Sequence, residues 1–572
     1  MAYFVKKTNN KKGTYLQIYF SYYNPDKGMS CHKSYKPIGY VHELKAAGIE
    51  DPISDTQRQV DELNKKFQED KQKDKLKMIG DTTPIKHLGY FPIKNINDNL
   101  EIENDINLLQ INTKQQYKLY DMISALIYAR VTDPKSKLHT FENVIPTLFE
   151  EYDFSLNQLY SGLEFMGSEY QKIIEIYNEK VNDKYKFKTD ITYFDATNFY
   201  FEIDREDLFR RKGPSKENRK EPIVGLGLLL DANQIPMGMQ LFPGNTSEKG
   251  IINEVISNMK SRHHVEGRTI RVADKGLNTA NNINDCIESG DGYLFSKSVK
   301  QLPENEITWV KLPNQWHEVY DEKGELHYKY KETTDEFEYT VDTVFGKRKV
   351  KFTEKRVLTY NPKLAKKQQA EITRQVNKAV NLCVSKAKRN ELGSCGKYVK
   401  FVPVDENGET GNGNSIAVSV NKDAKKKDME LCGYNLLVTS ETNMNAVEIY
   451  NLYHNLWRIE ESFRVMKSEL DARPVFLQKE NTICGHFLIC YLCVLLFRIF
   501  QIHILSDEFG YQTIIRFIKA FSVFKSSPRK YINTTKSTPF INDLAKKFDI
   551  PVNHYYLNNG EIRELFSSSV TG

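Results

Sequence analysis

Cysteine is scarce in this chain, with eight in 572 residues. So few thiols over that length exclude a disulfide-stapled scaffold. Cys484, His486, Cys490 and Cys493 sit in CGHFLICYLCVLLFRIF, an apolar helical run where buried thiols are expected rather than metal ligation. Long hydrophobic runs are also few. The uninterrupted stretch from Phe487 to Phe497 is too short to span a bilayer. MAYFVKKTNN lacks the apolar core of a secretory signal. A cytoplasmic protein with no membrane partner is the expectation. No repeat of solenoid type is visible. Net charge is low at +6, which hides local imbalance. Between Arg516 and Lys547 stand Arg516, Lys519, Lys525, Arg529, Lys530, Lys536, Lys546 and Lys547 against the single acid Asp543. Such a stretch can lie along a phosphate backbone or form a solvated helical surface.

What is present is enough apolar and aromatic residue, 40% and 12%, for a buried core, in a chain long enough for several domains. Residues 1–80 alternate as strands do through TYLQIYFSYY, a turn at NPDKG and KSYKPIGYV, then give a charged helix from Asp51 to Lys77. Residues 81–185 turn helical, with YKLYDMISALIYARV and LNQLYSGLEFMGSEYQKIIEIYNEKV repeating apolar residues at helical spacing. Residues 186–300 read as three strands, helix, strand, helix, strand. The strands are ITYFDATNFYFE, IVGLGLLL, IPMGMQLF, RTIRVADKGLN up to its aspartate, and GYLFSKSV; the first helix is IINEVISNMKSRH. Residues 301–433 break this rhythm as a β-rich insertion domain carrying the helix PKLAKKQQAEITRQVNKAV and a turn at GNGNS. Residues 434–500 resume with the buried strand YNLLVTSE and a long helix, and 501–572 form a basic C-terminal helical region.

The run YHNLWRIEESFRVMK reads as one helix with Tyr453, Glu460 and Lys467 seven residues apart. Two turns separate each from the next, so the three lie close to one face. Ile459, Phe463, Met466 and Leu470 form an apolar stripe roughly 100° round the axis. Glu460 could pair with Arg464 at i+4, and Glu461 is a competing acid.

Asp195 sits inside a strand, sharing a face with Tyr193 and Thr197. A carboxylate there is costly to desolvate unless it is paired or binds a cation. Asp274 ends a strand just before Lys275–Gly276, where it could equally be a turn residue. Together Asp195, Asp274 and Glu460 fit one scheme. Three carboxylates with no Cys or His favour a hard cation such as Mg²⁺. Two such ions about 3.5–4 Å apart can clamp an in-line displacement at phosphorus. Arg464 and Lys467 would supply charge-assisted phosphate contacts. Tyr453 and Lys467, about 21 Å apart along an ideal helix, would hold a strand on either side of the scissile bond. Trp457 either stacks on an unpaired base or packs in the core.

These residues resemble DDE transposases of bacterial insertion sequences, in the subgroup with a Y-x2-R-x3-E-x6-K signature and a β-rich insertion. Tyr453, Glu460 and Lys467 fall on its Tyr, Glu and Lys positions; FDAT supplies Asp195, VADKG supplies Asp274, and LFPGNTSE is similar to the segment between them. The signature arginine is replaced by Leu456, and Arg458 lies roughly 200° round the helix from it. The resemblance covers roughly residues 185–500. It implies an α/β, ribonuclease H-like core with a mixed five-stranded sheet. It also implies Mg²⁺-dependent (or Mn²⁺-dependent) cleavage at element ends and 3′-hydroxyl attack on target DNA. The implied partners are the terminal inverted repeats, target DNA and a second copy in a dimer. The N-terminal hairpin unit and helices are the expected binders of the repeats. A silent DNA-binding regulator and a nuclease that cuts without joining are the alternatives.

Overall fold

The fold is that of a computed structural model describing residues 2–570, other than 25–28, 76–82, 112, 114, 217–219, 248, 250, 252, 254–255, 258–259, 262–266, 385–388, 405–414, 474, 528 and 568–569. The turns expected at NPDKG and GNGNS lie largely outside the described residues, as does the end of the charged helix at Lys77, and the helix expected over 251–263 is described only in part.

The chain forms two units, Met1–Thr83 and Pro84–Gly572. In the first, β1 (Tyr3–Asn10), β2 (Gly13–Asn24) and β3 (Met29–Tyr40) make an antiparallel three-stranded sheet rather than a lone hairpin. The helix Pro52–Lys75 joins it, and the Asn64 amide exchanges hydrogen bonds with the Tyr3 backbone.

The second unit is built on a mixed nine-stranded sheet. Its strands are β5 (Ile191–Tyr200), β6 (Ile223–Leu230), β7 (Pro236–Pro243), β8 (Ile270–Ala273), β9 (Gly292–Lys297), β10 (His317–Tyr320), β11 (Leu326–Thr343), β12 (Gly346–Tyr360) and β15 (Tyr434–Thr439). The short strand β4 (Ile85–His87) precedes them, and β13 (Val399–Val404) pairs with β14 (Ser415–Val420) between β12 and β15. The order across the sheet is β10-β11-β12-β15-β9-β8-β5-β6-β7. β5 runs parallel to β8 and β8 to β9, and the other neighbours are antiparallel. The five strands read over 186–300 and the helix Ala280–Glu288 are present. The β-rich insertion differs from the expectation of a separate domain. β12 pairs with β15 from Lys355↔Thr439 to Tyr360↔Tyr434, so β10–β12 extend the central sheet. Strand alternation was legible, but its partner lies beyond a long intervening segment that local pattern does not encode.

Both faces of the sheet are covered, as the unbroken apolar β6 requires. Tyr193 and Phe199 of β5 face one core; Phe194 and Ala196, on alternate positions, face the other. The first core centres on the helix Glu480–Ile499, whose residues from Thr482 on are all buried. With the turn that continues it to Ile504, this helix is long and apolar enough to cross a membrane, further than the Phe487–Phe497 run suggested. Its apolar window is wholly buried inside the protein, as in a core helix. Gly485 and Gly167 allow close approach to the helix Leu156–Ser168: a Cβ on Gly167 would strike the Asn481 carbonyl, and one on Gly485 the Leu163 carbonyl. The helix Leu119–Thr132 is buried almost all round, which makes it scaffold. Cys484, Cys490 and Cys493 are buried free thiols, and His486 Nδ1 meets Lys137 Nζ at 3.2 Å.

The C-terminal region is not purely helical. β16 (Ser522–Ser527), β17 (Lys530–Asn533) and β18 (Tyr556–Asn558) join β4 in a four-stranded antiparallel sheet, order β18-β17-β16-β4. Charge and short strand length obscured this in the sequence.

Candidate active site

β5 and β8 lie side by side and carry the two aspartates. Asp195 is in the middle of β5, and Asp274 follows the last residue of β8. The Glu460 tract crosses this edge, but not as one regular helix. It comprises helix Ala446–His454, helix Trp457–Arg464 and a π-helical turn Val465–Glu469. Between the helices, Leu456 N–H donates to the Tyr453 carbonyl at 3.1 Å and Ile459 N–H to the Leu456 carbonyl at 3.1 Å, so the backbone tightens to three-residue bonding. Beyond them Leu470 N–H reaches the Val465 carbonyl at 2.9 Å, five residues back. Periodicity averages over such local changes, so the sequence predicted one continuous helix. The ideal 21 Å separation therefore does not carry over. The apolar stripe Ile459, Phe463, Met466 and Leu470 is buried as read.

The seven-residue set still faces the sheet. Tyr453 Oη donates to Asp274 Oδ1 at 2.8 Å. Lys467 Nζ donates to Thr197 Oγ1 at 2.9 Å and lies 5.3 Å from the centre of the Phe199 ring. Glu460 sits between them in the chain, and its carboxyl is raised above the usual range by burial and by the charges of Asp195 and Asp274, against Arg464 and Lys216. Asp195 is raised as well, chiefly by burial; Lys216 and the Ala196 N–H oppose this and Asp274 adds to it. The Tyr453 phenol is pushed up by burial and by Asp274. Arg464 is exposed and acts on Glu460 through space, but among the described residues it makes no ion pair with it within 4 Å.

Lys216 is the residue that sequence reasoning missed. Its Nζ lies 3.5 Å from Asp195 Oδ1 and donates to the Ala196 carbonyl. It stands in the β5–β6 connection with no motif around it, so nothing in the sequence distinguishes it from other lysines. Among the described residues no three His, Cys, Asp or Glu side chains are gathered to hold one metal ion. The like charges of Asp195, Asp274 and Glu460 repel, and Lys216 and Tyr453 occupy aspartate oxygens. The donor set still fits a hard divalent cation. It is all oxygen, and the mutual charge that raises Asp195 and Glu460 is what such a cation relieves.

Glu461 takes a different role from its neighbour. Arg498, 0% exposed, donates Nη1–H to Glu461 Oε2 at 2.6 Å, and Arg458 donates to the same oxygen at 3.1 Å. Arg498 also reaches Ser462 Oγ and the Arg458 carbonyl, clamping helix Trp457–Arg464 to the core. Arg458 also pairs with Asp507, so it is committed away from the position of Leu456, which is itself buried. Trp457 is 49% exposed with the Arg458 guanidinium 4.1 Å from its ring centre, which excludes plain core packing.

Residues 186–496 match the family model of the transposase DDE domain. The chain belongs to that family. Within the transposase DDE domain, both aspartates, the glutamate and Lys467 fall inside the matched span. No curated protein matches the chain. Among solved structures, the piggyBac transposase synaptic complex with hairpin DNA is similar over 85% of this chain and 86% of that one, at 8% identity and a TM-score of 0.36.

Proposed function

We propose that this DDE transposase acts for a bacterial insertion sequence, cutting DNA at the element ends and joining the freed 3′-hydroxyls to target DNA. The observation that carries the reading is the docking of one helical tract on the two aspartate-bearing strands, Tyr453 on Asp274 and Lys467 on Thr197, with Glu460 between them in the chain. The order β7-β6-β5-β8-β9 is read as a ribonuclease H-like core, with three antiparallel strands followed by two parallel ones.

Asp195, Asp274 and Glu460 are the groups that would hold divalent cations such as Mg²⁺ or Mn²⁺. Bound there, the cations would activate the attacking water or 3′-hydroxyl and offset charge on the leaving oxygen. The protein's own part is positioning. Lys467 and Arg464 offer charge-assisted contacts to phosphates, with Lys467 already anchored on Thr197. Exposed Trp457 offers a face for an unpaired base. Lys216 holds the Asp195 edge in a cation-satisfied state. Leu456 is buried where the subgroup signature has arginine, so no guanidinium stands at that position. The N-terminal unit serves the terminal inverted repeats, and two copies bridge two ends in the cytoplasm.

Labelled element ends, Mg²⁺ and a target plasmid test the reading in one reaction. Joined products are expected, weakening steeply with salt because phosphate contacts release counterions. Cut ends that never join would leave a nuclease, and binding without cutting would leave a regulator.

A further inference from the structure

The four-stranded sheet β18-β17-β16-β4 covers a buried row on one face and presents a second row on the other. Val523, Tyr531 and Leu557 are buried. On the alternate positions the register aligns Ile85 with Phe524, Phe524 with Ile532, and Ile532 with Tyr556. These four therefore form a line across all four strands. Phe524 is 39% exposed and Tyr556 51%, with Tyr555 exposed beside them and packed edge-on to the Tyr556 ring at 4.7 Å.

The charge on the hairpin that carries the middle of this row has one sign. From Ser522 to Lys536 the sequence holds Lys525, Arg529, Lys530 and Lys536 and no acid. All four are exposed, and among the described residues none lies within 4 Å of a carboxylate. Lys530 Nζ sits 3.6 Å from the centre of the Tyr556 ring. Surplus cations set beside solvent-facing aromatic rings suit a partner with phosphates and unpaired bases. A duplex offers phosphates but keeps its base faces stacked inside.

The surface is continuous with the catalytic tract. Lys519, three residues before β16, donates to the Glu469 carbonyl at 2.8 Å and to its carboxylate at 3.1 Å. A cavity of about 450 Å³ lined by His87, Lys135 and Lys519 and by the acids Asp133, Glu469 and Asp471 joins the edge of β4 to the turn that carries Lys467.

We propose that the outer face of this sheet is a single-stranded DNA platform, with bases stacking along Phe524, Ile532 and Tyr556 and phosphates on Lys525, Arg529, Lys530 and Lys536. The three stacking positions span about 10 Å, from two strand spacings near 4.8 Å, room for roughly two to three bases. The inference rests on the transposase reading, because that reaction frees strands at the element ends.

Fluorescence anisotropy with a labelled oligothymidine tests it on the full chain. The double variant Phe524→Ala/Tyr556→Ala is expected to bind at least about 30-fold more weakly, from two lost stacking contacts. Phe524→Tyr/Tyr556→Phe, which keeps both rings, is expected to bind as wild type does. Equal affinity of the alanine variant, or equal loss in the ring-keeping variant, overturns the proposal. So does a wild-type dimer that the alanine variant dissolves while oligothymidine affinity is unchanged, since the row then covers a second copy. The two readings fail separately. Ring-dependent binding in a chain that never nicks an element end removes the transposase reading alone. Nicking by a chain whose oligothymidine affinity ignores both rings removes the platform alone.

Discussion

Asp195→Ala, Asp274→Ala and Glu460→Gln are each expected to lower strand cleavage by at least about a thousandfold while leaving affinity for the same DNA within about threefold. The expectation follows from the way these acids are held. Asp195, chiefly through burial, and the solvent-exposed Glu460, through partial burial and the charges of both aspartates, are pushed up, a shift that a bound cation would relieve. Such perturbed acids mark functional sites more often than structural ones. Asp274 carries Tyr453 on one oxygen, leaving the other for a ligand. Glu460→Gln keeps the size of the side chain and removes only its charge, so a loss there reports on chemistry and not on packing. Gel-based cleavage of labelled ends and a shift assay on the same duplex supply the two readouts. Undiminished cleavage by any one variant would remove that acid from the site.

Glu461→Ala has the second large effect, and it is of another kind. Arg498 is fully buried with its Nη1–H on Glu461 Oε2, and burial already pulls the arginine below its ordinary pKa. Removing the carboxylate leaves that charge without its partner, at a cost of about 3–5 kcal/mol in unfolding free energy. Helix Trp457–Arg464 loses its clamp at the same time, so cleavage falls with stability. The double change Glu461→Leu/Arg498→Met removes both charges and is expected to recover most of the stability, since a buried ion pair can be replaced by apolar residues at little net cost. Denaturant midpoints measure both. A Glu461→Ala protein as stable as wild type would show that Arg458, Gln501 and Ser462 satisfy Arg498 without it.

The contrast between Glu460 and Glu461 shows how far the sequence reaches. Both are acids on one helix, and spacing from Tyr453 and Lys467 favoured Glu460. What separates them is Arg498, a buried cation 37 positions along the chain whose direction no local pattern reveals. The two aspartates were legible because each stands at a recognisable place in a strand: Asp195 amid aromatic and β-branched neighbours, Asp274 at a strand end before Lys275–Gly276. Lys216 was not, because a loop lysine has no periodicity. The tightened turn at Leu456 and the π turn at Val465–Glu469 escaped for a related reason: a change of hydrogen-bond register alters geometry without altering which residues are apolar. The strands of 326–360 were visible by alternation, whereas their docking on β15 depends on long-range pairing. The basic C-terminal stretch was visible as charge, and its outward aromatic row only as register.

Anomalous diffraction from crystals grown with Mn²⁺ and a cleaved element end shows which side chains hold the ions. Two manganese peaks held by Asp195, Asp274 and Glu460 are expected, with Lys216 displaced from the aspartate. Peaks bound by other side chains, with these three carboxylates still apart beside the DNA, would contradict the account.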